Sequence, residues 1–442
     1  MSQRPAGPVN DSLYRAVWRW HFYAGLLVLP FLVLLAGSGG LYLFHHEIDA
    51  WWHRDILRVE STGASPRTHQ ASVDTAVASQ GGQVFRYVPP ATASAAAEVD
   101  ILSPTGEKIA VYVDPYRARV TGVLPDRGTL MWTVRKLHSL KYFGPVASGL
   151  VEIAGGWCIL LVATGLYLWW PRGQAGGVSN VRGSVQQRVF WRDLHAITGS
   201  IAAVFIVFLA VTGMPWSVLW GSKVNQWANG HNFGYPAGVR VAVPMSDEHL
   251  AHSAPAAWSL QQARVPQSAS SAHTPISLNE AITRFEALGI SPGYAVTLPA
   301  GATGAYSASV YPSDLTRQRV IHLDQYTGKP LIDMSYADYG PLGRSLEWGI
   351  NVHLGQQYGE VNRWLMVFAC AAIVLLCVSA TVMWWKRRPS GSLGVPPQPA
   401  DTRKSWHVLA MLAVGGVVFP LVGASMLLIA LADTLWTRRT RI

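Results

Sequence analysis

Four histidines of this chain fall into two pairs that repeat the same spacing. His138 is followed by Gly144, Thr164 and Trp169-Trp170, and His353 is followed by Gly359, Ser379 and Trp384-Trp385 at identical offsets. His21 precedes Gly25 and Ser38-Gly39, and His195 precedes Gly199 and Thr212-Gly213, again in step. Imidazole is the commonest metal ligand among side chains, and two imidazoles set between helices are a way to hold haem iron. The pseudo-twofold relation of the spacings pairs His21 with His195 and His138 with His353. Each pair then offers two axial nitrogens to one iron, which gives two six-coordinate haems. Bis-imidazole ligation suits electron transfer, because no position stays open for oxygen. The chain has no Cys-x-x-Cys-His, so covalent c-type attachment is excluded, and no Cys-x-x-Cys spacing for zinc or an iron–sulfur cluster.

Apolar helices must position these rings. Half of the 442 residues are hydrophobic and only 14% are charged, against about 25% charged in soluble domains. Apolar, uncharged runs extend over 22–44, 153–170, 196–220, 364–385 and 408–432. A helix needs about 20 such residues to cross a bilayer. Tryptophan, 19 in all, clusters at the ends of these runs as an interfacial belt does. The expected fold is a mainly α-helical membrane protein. It repeats a unit of span, outer α+β domain and span, and adds a fifth C-terminal span. The boundaries read as an N-terminal segment 1–16, span 17–44, outer domain 45–147, span 148–170, loop 171–193 and span 194–220. A second outer domain at 221–352, span 353–385, loop 386–404, span 405–434 and tail 435–442 follow.

Charge orients this layout. The segments 1–21, 171–194 and 386–405 hold 12 Lys/Arg and 3 acidic residues, whereas the long loops 45–147 and 218–352 hold 19 of each sign. The net charge of +10 therefore sits at one membrane face. The positive-inside rule makes that face cytoplasmic and both long loops external. The basic excess is a topology signal, and nucleic acid is not an expected partner. One feature resists: with five spans the basic tail Arg438-Arg439-Thr440-Arg441 falls outside. Either the late charges are tolerated or the segment around Pro420 is a re-entrant pair. A full fifth span is the expectation retained here.

The three cysteines, Cys158, Cys370 and Cys377, all lie in apolar runs, so no disulfide supports the outer loops. Within those loops 110–115 and 320–328 alternate as strands and then turn at Asp114 and Asp324, and Ser277 begins a helix as its cap.

The phrases VYVDPYRARVTG and IHLDQYTGKPL resemble the repeat of PepSY domains. RWHFYAGLL, LHSLKYFG, LYLWWPRG, WRDLHAITG, VHLGQQYG and VMWWKRRP resemble the PepSY-associated transmembrane family, over roughly residues 12–390. That family includes iron-regulated inner-membrane proteins and ferric-siderophore reductases of the ferrioxamine reductase type. The resemblance implies an inner-membrane protein with haem b that passes electrons outward and reduces iron held by a periplasmic ferric siderophore, releasing Fe(II).

Other residues compete for the same roles. His45 and His46 end the first run on the outer side and are alternative outer ligands or contacts for the iron complex. His407 opens the last run and is an alternative to His21 or His195. Arg363 and Arg135 are candidate contacts for haem propionates, since guanidinium matches carboxylate geometry. Glu152 and Arg363 are membrane-proximal charges, which are functional candidates by default. Trp157 is a candidate bridge between two haem edges, and the small residues at Ser38-Gly39 and Thr212-Gly213 either pack helices or admit a flat porphyrin.

No Gly-x-Gly-x-x-Gly follows a strand and the inner loops are short, so the electron donor is a separate partner: a cytoplasmic reductase, a flavin carrier or membrane quinol. Two other classes stay open. A transporter would use repeated helices for alternating access, and a regulatory or peptidase-binding protein would use the outer PepSY-like domains. Neither needs matched membrane histidines.

Overall fold

A computed structural model describes residues 11–61, 63–171, 179–224, 245–249, 264–269, 274–397 and 406–439. Arg403, Lys404, His231, His252 and His273 lie outside them. The chain forms two compact units, one of residues 1–43, 135–223 and 363–442, the other of residues 44–134 and 224–362.

Among the described residues, four helices are long and apolar enough to cross a membrane. The first span is Asp11–Tyr42, the second Pro145–Trp169, the third Arg188–Gly213 and the fourth Glu360–Arg387. Pro30 lies inside the first without ending it, as membrane helices tolerate. The second span is central and packs along both the first and the third. Close approach depends on small residues: a Cβ on Gly156 would come within 2.5 Å of Val422, and one on Gly155 within 3.0 Å of Met214.

The expected single fifth span differs. Residues 406–439 form two helices, Trp406–Val418 and Pro420–Arg439, with the break at Phe419. Gly416 and Gly423 face each other across it, so closely that a Cβ on Gly416 would reach within 2.9 Å of the Gly423 Cα. A straight helix would hold residues seven apart about 10 Å from each other. The segment is therefore a folded pair. Proline lacks the N–H to continue a helix, and the glycines let the two arms touch.

The second unit is built on an eight-stranded antiparallel sheet. Its strands are β1 (Gln83–Val88), β2 (Ala97–Leu102), β3 (Lys108–Asp114), β4 (Arg119–Pro125), then, beyond the separate β5 (Met245–His249) and β6 (Arg264–Pro266) pair, β7 (Ala295–Thr297), β8 (Ala305–Val310), β9 (Arg319–Asp324) and β10 (Pro330–Ser335). The spatial order is β10-β9-β8-β7-β1-β2-β3-β4. The sequence suggested two separate outer domains; instead their meanders share one sheet. The β1–β7 pairing joins them, which satisfies two edges that would otherwise expose unpaired backbone groups. Helix His69–Gln80, capped by Thr68, and helix Leu278–Ala287, capped by Ser277, contribute Val73, Ala76, Ile282 and Phe285 to one core with Val99, Ile101, Val111 and Ile321. Asp114 and Asp324 end their strands by accepting the backbone N–H groups of the next turn.

A second, polar row runs across the seam. Asp100, Arg86, Thr297, Ser307 and His322 are directly opposite partners on five successive strands, and all are buried. Burial lowers the His322 imidazole to about 4, so it is neutral and bonds Ser307 Oγ at 2.7 Å. Arg86 holds Asp100, with Asp126 at 3.2 Å and Glu98 at 3.5 Å. One cation thus faces three carboxylates, and Asp100 Oδ1 has no hydrogen-bond partner. Burial and then Glu98 outweigh Arg86 and push the Asp100 carboxyl up to about 7. A carboxyl whose folded pKa is raised binds its proton more tightly in the folded chain. Its ionisation then costs stability as pH rises from the ordinary carboxylate range through about 7. The sheet unit is expected to lose on the order of 2 kcal/mol between pH 5 and pH 8. Hydrogen exchange of the β2 and β3 amides measures this, and Asp100→Asn should flatten the dependence.

Candidate cofactor site among the spans

The paired rings are oriented by hydroxyls on neighbouring helices. His21, on the first span, has Nδ1 2.9 Å from Thr164 Oγ1 on the second. The Thr164 hydroxyl donates to the Leu160 carbonyl at 2.8 Å, so it accepts from His21 Nδ1–H. His195, on the third span, donates its Nδ1–H to the Leu376 carbonyl of the fourth at 3.2 Å, with Ser379 Oγ at 3.4 Å. In both rings the proton is on Nδ1, and Nε2 keeps its lone pair for a metal. Ligating histidines are tied down in this way, one nitrogen to a protein oxygen and the other to the metal.

His138 follows the same rule. Ser38 Oγ donates to the Leu34 carbonyl at 2.5 Å and accepts from His138 Nδ1 at 2.9 Å. Glycine makes room beside two of the rings: a Cβ on Gly39 would lie 3.3 Å from His138 Cε1, and one on Gly165 3.3 Å from His21 Cε1. The sequence marks Thr164 and Ser379 as parts of the repeat, and the small residues as either helix packing or room for a flat porphyrin. Their contact with the rings comes from helix pairing, and a hydroxyl at the same offset from each histidine was the available signal.

His21 and His195 line one cavity of about 580 Å³, within the size range of small-molecule sites. Its walls are apolar, with Leu29, Leu32, Val162 and Ile206 among them, and Gly25, Gly165 and Gly199 leave flat stretches. Cys158 and Cys377 also face it. Its charged lining is Arg182, Arg188, Arg192 and Asp193. Asp193 is buried and holds Arg182 Nε at 2.8 Å and Arg192 Nη2 at 2.7 Å. Trp20, next to His21, stacks on Trp157 at 6.3 Å, and Trp157 Nε1 donates to Ser425 Oγ at 2.9 Å.

The remaining candidates are spread more widely. His353 ends helix Pro341–His353 of the second unit, whereas His138 belongs to the first. His45 and His46 lie on helix His45–Trp52 with ring centroids 3.9 Å apart, and His46 is exposed. His407 is in the first turn of helix Trp406–Val418, and its side chain is outside the described residues. Arg135 sits on helix Leu130–His138 and Arg363 in the first turn of the fourth span; neither lines the cavity. Glu152, expected as a functional charge, has a structural duty. Both its oxygens accept backbone N–H groups, of Leu219 at 2.8 Å and Trp220 at 3.1 Å, at the start of a helical turn. Among the described residues no three His, Cys, Asp or Glu side chains come together as a metal cage. Two imidazoles alone underfill a bare ion; they would suit an ion that arrives with the rest of its ligands.

No curated protein matches the chain. Residues 18–387 match the family described as PepSY-associated TM region. That stretch carries all four spans and the eight-stranded sheet, and the chain belongs to this family of membrane proteins.

Proposed function

We propose that this chain is a di-haem b-type reductase of the bacterial inner membrane, passing electrons from the cytoplasmic side to a ferric siderophore outside and releasing iron as Fe(II). The observation that carries the reading is the pair His21 and His195. They face one cavity from two helices, each with Nδ1 engaged and Nε2 available. Haem b, when bound, supplies a one-electron couple. The chain's part would be to fix both rings, exclude water with Leu29, Leu32 and Ile206, and offer an imidazole nitrogen from each of two helices. His138, anchored by Ser38, would serve a second haem with His353 as its partner.

The equal offsets of the two histidine sets support an internal duplication, and the charge asymmetry supports a cytoplasmic N-terminus with the sheet unit in the periplasm. On this topology the helix pair at 406–439 is re-entrant and returns Arg438 and Arg439 to the cytoplasmic face, where the positive-inside rule wants them. The siderophore is met by the periplasmic unit, and the electrons come from a separate reductase, flavin carrier or quinol.

The test is an absorbance spectrum of the purified chain in detergent, oxidised and dithionite-reduced, with a pyridine haemochrome count. A sharp b-type α band and about two haems per chain are expected from the two ligand pairs. Absence of haem in protein made with ample haem supply would overturn the proposal and favour transport or regulation.

A further inference from the structure

The two sides of the cavity mouth differ in a way their spacing does not. Tyr14, Trp18, His21 and Gly25 line it from the first span at intervals of four, three and four residues. Arg188, Arg192, His195 and Gly199 line it from the third span at the same intervals. Such intervals put each set on one helix face. Tyrosine and tryptophan therefore stand on one side where arginines stand on the other. Helix rise places Arg192 about 4.5 Å and Arg188 about 10 Å along the axis from His195.

The basic side is built. Asp193, 1% exposed, fixes Arg182 and Arg192 by short ion pairs, and Arg182 reaches it from the loop before the span. Three guanidinium groups and one carboxylate leave two positive charges on the lining. A carboxylate-bearing amphiphile meets its needs here: an apolar body between the spans and anionic groups at the arginine side. A bidentate guanidinium suits each carboxylate.

We propose that Arg188 and Arg192, with Arg182, are the clamp for the two carboxylates of the haem held by His21 and His195. Asp193 is the positioning residue that sets the clamp. The clamp fixes which edge of the ring faces the third span, since the charged residues of the lining all come from that span and the loop before it. This rests on the haem reading of the cavity.

The test compares haem with its dimethyl ester, which has the same iron and ring but no carboxylates. Each is titrated into full-length, haem-depleted protein in detergent and followed by the Soret band. Wild type should bind haem about ten- to a hundredfold more tightly than the ester, as expected for charge-assisted hydrogen bonds. The R188Q/R192Q variant should lose most of that preference while its ester affinity stays unchanged, which also shows that the cavity is folded. D193N should lose part of it. Equal binding of acid and ester by wild type, or equal weakening of both in R188Q/R192Q, sinks the clamp and leaves the haem reading standing. Failure of wild type to form a low-spin complex with either compound sinks the haem reading, and the clamp with it.

Discussion

His195→Ala is expected to remove the haem of the cavity and leave the chain folded, and His21→Ala is expected to do the same. On the haem reading each ring would supply one ligand nitrogen, and among the described residues no third imidazole lines the cavity. The haem count should fall from about two per chain to about one, since His138 belongs to another set. Imidazole added to His195→Ala should restore the low-spin spectrum by filling the vacated space. Thr164→Val gives a graded comparison. It keeps the His21 ligand but removes the hydroxyl that fixes its tautomer, and loss of such an anchor costs about ten- to a hundredfold in affinity. Pyridine haemochrome counts with circular dichroism measure all three. Full low-spin haem content in both alanine variants would show that these imidazoles are merely interfacial.

The parts of this site that were legible in the chain are those carried by local pattern. Apolar runs of span length and histidines at equal offsets need no knowledge of which helix meets which. What was not legible depends on helix pairing. Thr164 and Gly165 touch His21 only because the first and second spans lie together, and Leu376 serves His195 across the third and fourth. Arg188 and Arg192 were read only as topology charges, although their spacing from His195 places all three on one helix face. The partners of Glu152 were hidden in the same way, because the helical turn starting at Trp220 that presents amides to it lies on another element. The single sheet was hidden for a related reason. Alternation marks β1 and β7 as strands but does not say that their free edges pair with each other. The break at Phe419 had a local signal, glycines at 415, 416 and 423 around Pro420, which the high hydropathy of the run outweighed.

Arg86→Met is expected to destabilise the sheet unit at pH 7.5 by about 2–3 kcal/mol, below the roughly 3–5 kcal/mol of breaking a buried ion pair from one side, because the Asp100 carboxyl already sits at about 7 and can take up a proton. Methionine fills much of the arginine's volume, so packing is not what fails. The loss is electrostatic: Asp100, fully buried, and Glu98 would remain on adjacent positions of one strand face with Asp126 nearby and no cation among them. Domain stabilities are about 5–15 kcal/mol, so this is a large share. Arg86 also stands on the β1–β7 seam opposite Thr297, and that joint has only two paired positions, Arg86–Thr297 and Tyr87–Val296. Faster hydrogen exchange should appear there first, while amides of the four spans keep their protection. Two comparisons separate this from simple misfolding. Lowering the pH toward 5 should recover part of the lost stability, because protonation of Asp100 removes the repulsion. Arg86→Met with Asp100→Asn should be more stable than Arg86→Met alone, since a neutral amide costs less to bury than an unpaired carboxylate. An Arg86→Met protein as resistant to urea as wild type at pH 7.5, or a double variant weaker than the single, would mean that the three carboxylates are screened by something other than Arg86, and the polar row would lose its role in joining the two meanders.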